Sequence, residues 1–407
     1  MVQAPFFRLM NNFLLLVLLA ILPFLSNGQN VAKDSTSYFT QIKHTDKGFV
    51  FATRDGKFEL QLASRIQFRY AMPDDQNPVN FDDFNNGNAD NFKINRARLK
   101  IGGHAYNPWI KYYFEYELSQ SNLLDFRVMV EKIPWLKVKF GQWKVEFTRE
   151  RFISSGDQQL VDRSIINRPF TLDRQQGVTI YGHLKEKGIA DFNYWAAVLT
   201  GTGRGATFND DHKLMYFGRM QWNFLGREVP FSGSDLKITE KPAGIIALSG
   251  ATNTSPYTRF SQAGGGSLEG FENGVAGQYT VNQLNLETAF NYKGLSWASE
   301  FHRKQICDNI NNRTTRLGGY YMHLGYFPNQ IIPFWPKSLE IATRYAQYRP
   351  DMEIDNNSQN ELALALNWFF AGHKNKISAE ITRFTFMDTS LPQKDETRFR
   401  IQYDISF

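Results

Sequence analysis

A chain of 407 residues with a net charge of +6, a pI near 9.1 and a mean hydropathy of −0.42 is 15% aromatic, with 35 Phe and 18 Tyr. Its single cysteine, Cys307, excludes an intramolecular disulfide and every Cys–Cys metal motif. The basic balance admits nucleic acid, anionic lipid or a small anion as partner, but no helix-turn-helix or zinc-finger spacing occurs and an exported chain rarely meets nucleic acid.

Export is what the first residues indicate. Arg8 supplies a positive start, Phe13 to Leu25 an apolar run, and Ser26-Asn27-Gly28 a small-x-small cleavage site before Gln29. This is the pattern of a secretory signal peptide over residues 1–28, and the run falls short of the roughly 20 apolar residues of a membrane anchor. Residues 29–57 are mixed and polar, a short periplasmic tail or plug-like segment.

From Phe58 the period changes to two. Phe58, Leu60, Leu62, Ile66, Phe68 and Tyr70 alternate with Glu59, Gln61, Arg65, Gln67 and Arg69, so one face is greasy and the other wet. Ala97, Leu99 and Ile101 oppose Arg96, Arg98 and Lys100 in the same way. The pattern recurs in about 16 segments, each near the 9–11 residues that a tilted strand needs to cross a bilayer. It ends at Phe407, in an aromatic-alternating strand that resembles the C-terminal signature of bacterial outer-membrane barrels.

Short turns such as Asn107-Pro108, Lys293-Gly294 and Ala371–Asn375 alternate with long connections such as Ala71–Asn91, Thr148–Gln176 and Gly250–Gly277, Ser119–Asn122 being the exception, short where a long one is due. Outer-membrane barrels have short periplasmic turns and long external loops. The expectation is therefore an all-β, transmembrane antiparallel β-barrel of about 16 strands over residues 58–407. A soluble β-sandwich would bury smaller aliphatic residues, and no fixed repeat supports a solenoid.

The third long connection, Thr148–Gln176, far exceeds a hairpin loop of 2–5 residues and carries Arg149, Arg151, Arg163, Arg168 and Arg174. We expect it to fold into the mouth of the barrel and narrow it. At about 16 strands the interior holds an aqueous channel, and parity points Arg65, Arg69, Arg96, Arg98 and Lys100 into it. Lys137 and Lys139 share that side. Such a ladder attracts anions, and the planar guanidinium fork suits the paired oxygens of phosphate or carboxylate. Parity also places Glu59, Glu115, Glu117, Glu131, Asp191, Glu287, Glu300, Glu340 and Asp404 inside, where they can neutralise arginines and leave a weakly selective pore.

Enzymatic signals are weak. The seven histidines show no HExxH spacing, and no GxSxG elbow occurs. Gly201-Thr202-Gly203-Arg204-Gly205 lies between strands with no helix after it, a flexible external loop. No cofactor or metal is expected. An outer-membrane hydrolase or an adhesin built on a barrel stays as the remote alternative.

Asn95-Arg96-Ala97-Arg98-Leu99, Phe140-Gly141-Gln142-Trp143-Lys144, Arg149-Glu150-Arg151, Asp162-Arg163-Ser164 and Asp173-Arg174 with Gly177-Val178 together resemble the phosphate-selective porin O and P family. The likeness spans most of the mature chain and is most specific from Asn95 to Gly182. It implies a 16-stranded barrel of the bacterial outer membrane, commonly a homotrimer, passing phosphate or polyphosphate along a lumenal arginine ladder. Glu146 stands where many members have proline. The expected function is a passive, anion-preferring porin, with Arg65, Arg96, Arg98 and Lys100 attracting the ion and the five loop arginines lining the constriction. Its partners are small anions, outer-membrane lipid and two further copies of itself.

Overall fold

A computed structural model describes residues 39–73, 90–186, 188–206, 208–260, 265–387 and 394–407. The signal peptide expected over residues 1–28 lies outside them. β1 (Phe39–Thr45) and β2 (Gly48–Thr53) form a hairpin, so part of the segment read as a polar tail is strand. β2 lies against β3 (Glu59–Met72), with Phe49 opposite Leu62.

The wall proper begins with β3. It continues through β4 (Asn91–Ala105), β5 (Asn107–Glu117), β6 (Asn122–Ile133), β7 (Leu136–Lys144) and β8 (Arg174–Lys185). β9 (Asp191–Leu199), β10 (Met215–Trp222), β11 (Ala243–Ser255), β12 (Tyr279–Tyr292) and β13 (Leu295–Asp308) follow. β14 (Arg313–Tyr326), β15 (Leu339–Arg349), β16 (Gln359–Phe369), β17 (Asn375–Phe386) and β18 (Lys394–Ser406) complete the order. Every neighbour in sequence is an antiparallel neighbour in space, and β18 returns to β3 through Tyr403–Phe68 and Ile405–Ile66. The result is a closed antiparallel barrel of sixteen strands. Closure matters because hydrocarbon offers no partner to a free strand edge.

Alternation sorts the side chains. Along β16, Glu361, Ala363, Ala365 and Asn367 are buried while Leu362, Leu364, Leu366 and Trp368 are exposed. Phe68, Phe126, Val198, Leu284 and Ile401 likewise face outward on other strands. Soluble proteins rarely expose apolar patches beyond a few hundred Å². A greasy belt around a closed wall belongs in lipid, and the reading of a dry sandwich core is excluded.

Two connections depart from the short-turn rule. Residues 223–242, between β10 and β11, and residues 327–338, between β14 and β15, are long on the side where the other turns are short. The first folds inward. Gly233 N donates to Asp157 O at 2.8 Å, and Ser234 Oγ donates to Glu340 at 2.8 Å.

Candidate functional site: a basic constriction

Residues 145–173 leave the wall after β7 and occupy the interior. Their apolar side chains Val145, Phe147, Ile166, Phe170 and Leu172 pack against Leu199, Phe217, Val281, Ile306 and Tyr348 on the inner face of the wall. Phe170 stacks on His302 with centroids 4.9 Å apart and meets Tyr348 edge-on at 5.8 Å. Each large side chain buried this way contributes about 2 kcal/mol. Part of the wall's inner face is thus apolar, because the loop covers it.

Buried ion pairs fasten the same loop. Arg149, 1% exposed, lies against Glu287 and donates to the Val229 and Pro230 carbonyls. Glu287 is also held by Arg219 at 2.7 and 2.9 Å. Glu150 accepts from Ser164 N at 2.7 Å and from Arg344 at 3.3 Å, and burial raises its pKa. At the loop's tip Asp162 takes both oxygens to Arg69, at 2.7 and 3.1 Å, and one to Arg400 at 2.9 Å. Burial alone would raise the Asp162 pKa, but Arg69 and Arg400 outweigh it and hold the carboxyl far below its usual range. Arg65 reaches under the tip to Ser154 at 2.7 Å and Asp157 at 3.4 Å. A Cβ on Gly156 would sit 2.2 Å from that guanidinium, so a larger residue there would push the Arg65 side chain aside.

The opposite side of the lumen differs in charge balance. Inward residues of β12–β17 such as Glu287, Glu300, Arg344 and Glu380 are 0–1% exposed, whereas Arg96, Arg98 and Lys100 on β4 are only half-buried. The open passage therefore runs beside β4. Arg98 is neutralised by Glu115 at 2.7 Å and Glu117 at 2.8 Å. Arg96 donates to neutral amide oxygens, that of Gln67 at 2.9 Å and, in the Asn95 amide orientation that satisfies its partners, that of Asn95 at 2.7 Å. Lys100 has no ion pair among the described residues.

Loop cations face this wall. Arg151 pairs with Asp173, and Arg174 with Asp125 at 2.6 Å. Arg163 and Lys144 donate instead to the carbonyls at the end of a single helical turn, α1 (Arg149–Phe152). Arg163 reaches Ile153 O at 2.7 Å and Lys144 reaches Phe152 O at 2.8 Å. Those carbonyls lack partners within the turn, so both cations are satisfied without being neutralised. Burial depresses the Arg163 pKa well below its usual range, and the nearby charges of Arg151, Arg96 and Arg98 add to that. Arg204 joins the group, its pKa lowered by burial and by Arg174, Arg151 and Arg98 against the pull of Asp173. Arg168 lies half-buried in a second helical turn, α2 (Asn167–Phe170).

Five cations around the passage, Arg96, Lys100, Lys144, Arg163 and Arg204, thus form no ion pair among the described residues. Lys144 and Arg204 were not singled out as site residues from the sequence. Lys144 closes the Phe140–Lys144 run, and Arg204 lies in the glycine-rich stretch read as a flexible loop. That stretch is tied to the wall through Gly203 N to Gln175 at 3.0 Å and Gly205 N to Gln142 at 2.8 Å.

The family profile described as phosphate-selective porin O and P matches residues 66–405. The chain belongs to that family. Porin O of Pseudomonas aeruginosa is 25% identical to this porin over 308 residues, 69% of this chain and 67% of that protein. Among solved structures, the anion-selective porin from Comamonas acidovorans superposes with a TM-score of 0.52 at 11% identity, covering 86% of this chain and 99% of that one. The trimer form of OmpT from Vibrio cholerae gives 0.54 at 8% identity, covering 86% and 99%. At those identities the likeness is one of fold. This porin is an outer-membrane channel and not an enzyme.

Proposed function

We propose that this porin passes small anions by diffusion, phosphate and polyphosphate foremost. The observation that carries the reading is the unbalanced charge of the passage. The buried acids Glu287, Glu361 and Glu380 of the far wall each hold an arginine, while the half-buried side along β4 keeps five cations without carboxylate partners among the described residues. Several moderate sites in series let an ion enter and leave, whereas one tight site would trap it. Arg96, Arg98 and Lys100 on the wall, and Arg151, Arg163 and Arg174 from the loop and its end, are the ion-facing set. Arg65 and Arg149 position the loop, and Arg168 belongs with the loop arginines. The family's name and the anion-selective relative support the same preference.

Reversal potential in a salt gradient across a planar bilayer tests the proposal. Anion preference is expected, and cation preference would end it. Millimolar phosphate should also block the chloride current. Absence of block would favour a weakly selective porin, a reading supported by the pairing of Arg98, Arg149, Arg151 and Arg174 with acids. We also propose a homotrimer, in keeping with the trimer form of the Vibrio relative; mass measurement in detergent should give three copies.

A further inference from the structure

The lumen makes no use of one feature on the outer surface. A recess of about 1160 Å³ is cut into the lipid-facing wall between β8 and β14. Register explains it, because Ile180, Ala196, Gly218, Gly250, Leu284 and Arg303 stand side by side across six successive strands. The three middle positions carry a methyl or nothing, between Ile180 at 44% exposed and Leu284 at 56%. A Cβ on Gly218 would meet nothing within 4 Å, and one on Gly250 would touch only Leu284 Cδ2 at 3.6 Å and Gln283 O at 3.9 Å. Packing within the wall does not require these glycines. They keep a trough open on the lipid side.

The trough has a charged end. Arg303 is exposed and lies across Gly318, where a Cβ would come 2.8 Å from its Nη1, and the guanidinium rests on the Met352 sulfur. It forms no ion pair among the described residues. Arg316 is its neighbour on β14, paired with Glu353 at 2.7 Å. Both lie in the half of the barrel nearer the connections 309–312 and 350–358, on the side of the long loops. A cation facing hydrocarbon is costly unless an anion meets it.

We propose that this recess binds a phosphorylated, multiply acylated lipid of the outer leaflet. Its acyl chains lie in the trough over Ala196, Gly218 and Gly250, and two oxygens of its phosphate sit on the Arg303 fork. The volume exceeds that of ordinary small-ligand pockets, about 300–1,000 Å³, as paired chains require. The proposal rests on the outer-membrane placement and is independent of what the lumen conducts.

Native mass spectrometry of the full porin, extracted from outer membranes in mild detergent, reads the outcome. Wild-type barrels should carry a phosphorylated-lipid adduct, and purified lipid A should restore it after delipidation. Gly218→Leu, which fills the trough, and Arg303→Gln, which removes the fork, should each lower occupancy about tenfold. Gly218→Ala, whose methyl has room, should fold and keep the lipid. Conductance and ion selectivity should stay at wild-type values in all three. A wild-type barrel that takes up no lipid A would overturn the proposal, as would occupancy unchanged in the leucine and glutamine variants. Displacement of the adduct by inorganic phosphate would show a bare anion site instead. Loss of the oligomer in Gly218→Leu with lipid retained would show a subunit contact.

Discussion

Lys100 stands opposite Glu115 in the β4–β5 register, yet that carboxylate is taken by Arg98. Glu117 holds Arg98 as well, so the two acids balance Arg98 and Lys100 in number, and the surplus on this strand comes from Arg96, whose hydrogen bonds go to neutral amides. A unit charge roughly 15 Å away at an effective ε of about 20 is worth about 1 kcal/mol. Arg96→Glu with Lys100→Glu should therefore lower the anion-to-cation permeability ratio at least several-fold, read as reversal potential. Arg149→Ala should leave that ratio unchanged, because its charge is spent on Glu287 behind the loop; a fall in selectivity would return it to the lining. Parity pointed to the inward arginines correctly but could not say which were neutralised. Asp162 lies 93 residues from Arg69, and Glu287 lies 138 from Arg149. Such pairings are decided by closure of the barrel and leave no local trace.

As an element, the loop 145–173 is a wedge with a greasy back and an ionic tip. Asp162→Asn would leave Arg69 and Arg400 short of a buried charge, at a cost of about 3 kcal/mol. The tip should loosen, giving larger and noisier single-channel currents; a wild-type trace would show that the apolar back suffices. Acid should do the same. Asp162 and Asp173 both lie below the ordinary carboxylate range; burial works against this, but Arg69 and Arg400, or Arg151 and Arg174, prevail. A depressed carboxyl contributes stability that is complete above its unfolded pKa of about 3.9 and is lost as pH falls through the folded value. Conductance should hold steady from about pH 8 to about pH 4 and rise in stronger acid. The wedge was legible in the sequence from its length and its arginines. The segment 223–242 that meets it was not, since Phe231 and Gly233 find their partners on Phe152 and Asp157 of the distant loop.

The whole barrel was the most legible level, because every strand repeats the same two-residue rule and errors in one segment do not propagate. What alternation could not convey is that the interior is lopsided, since a folded-in loop has no period of its own. The strands that complete the circle, β3 and β18, come from opposite ends of the wall and are joined by backbone pairing, with Gln67 and Arg69 reaching Asp404 and Gln402. Asp162 grips Arg69 on one and Arg400 on the other. A single carboxylate in the eyelet therefore also works as the clasp of the hoop. During assembly, the first and last staves cannot be prised apart without pulling the gate loose, and a damaged gate should slow the hoop's final fastening.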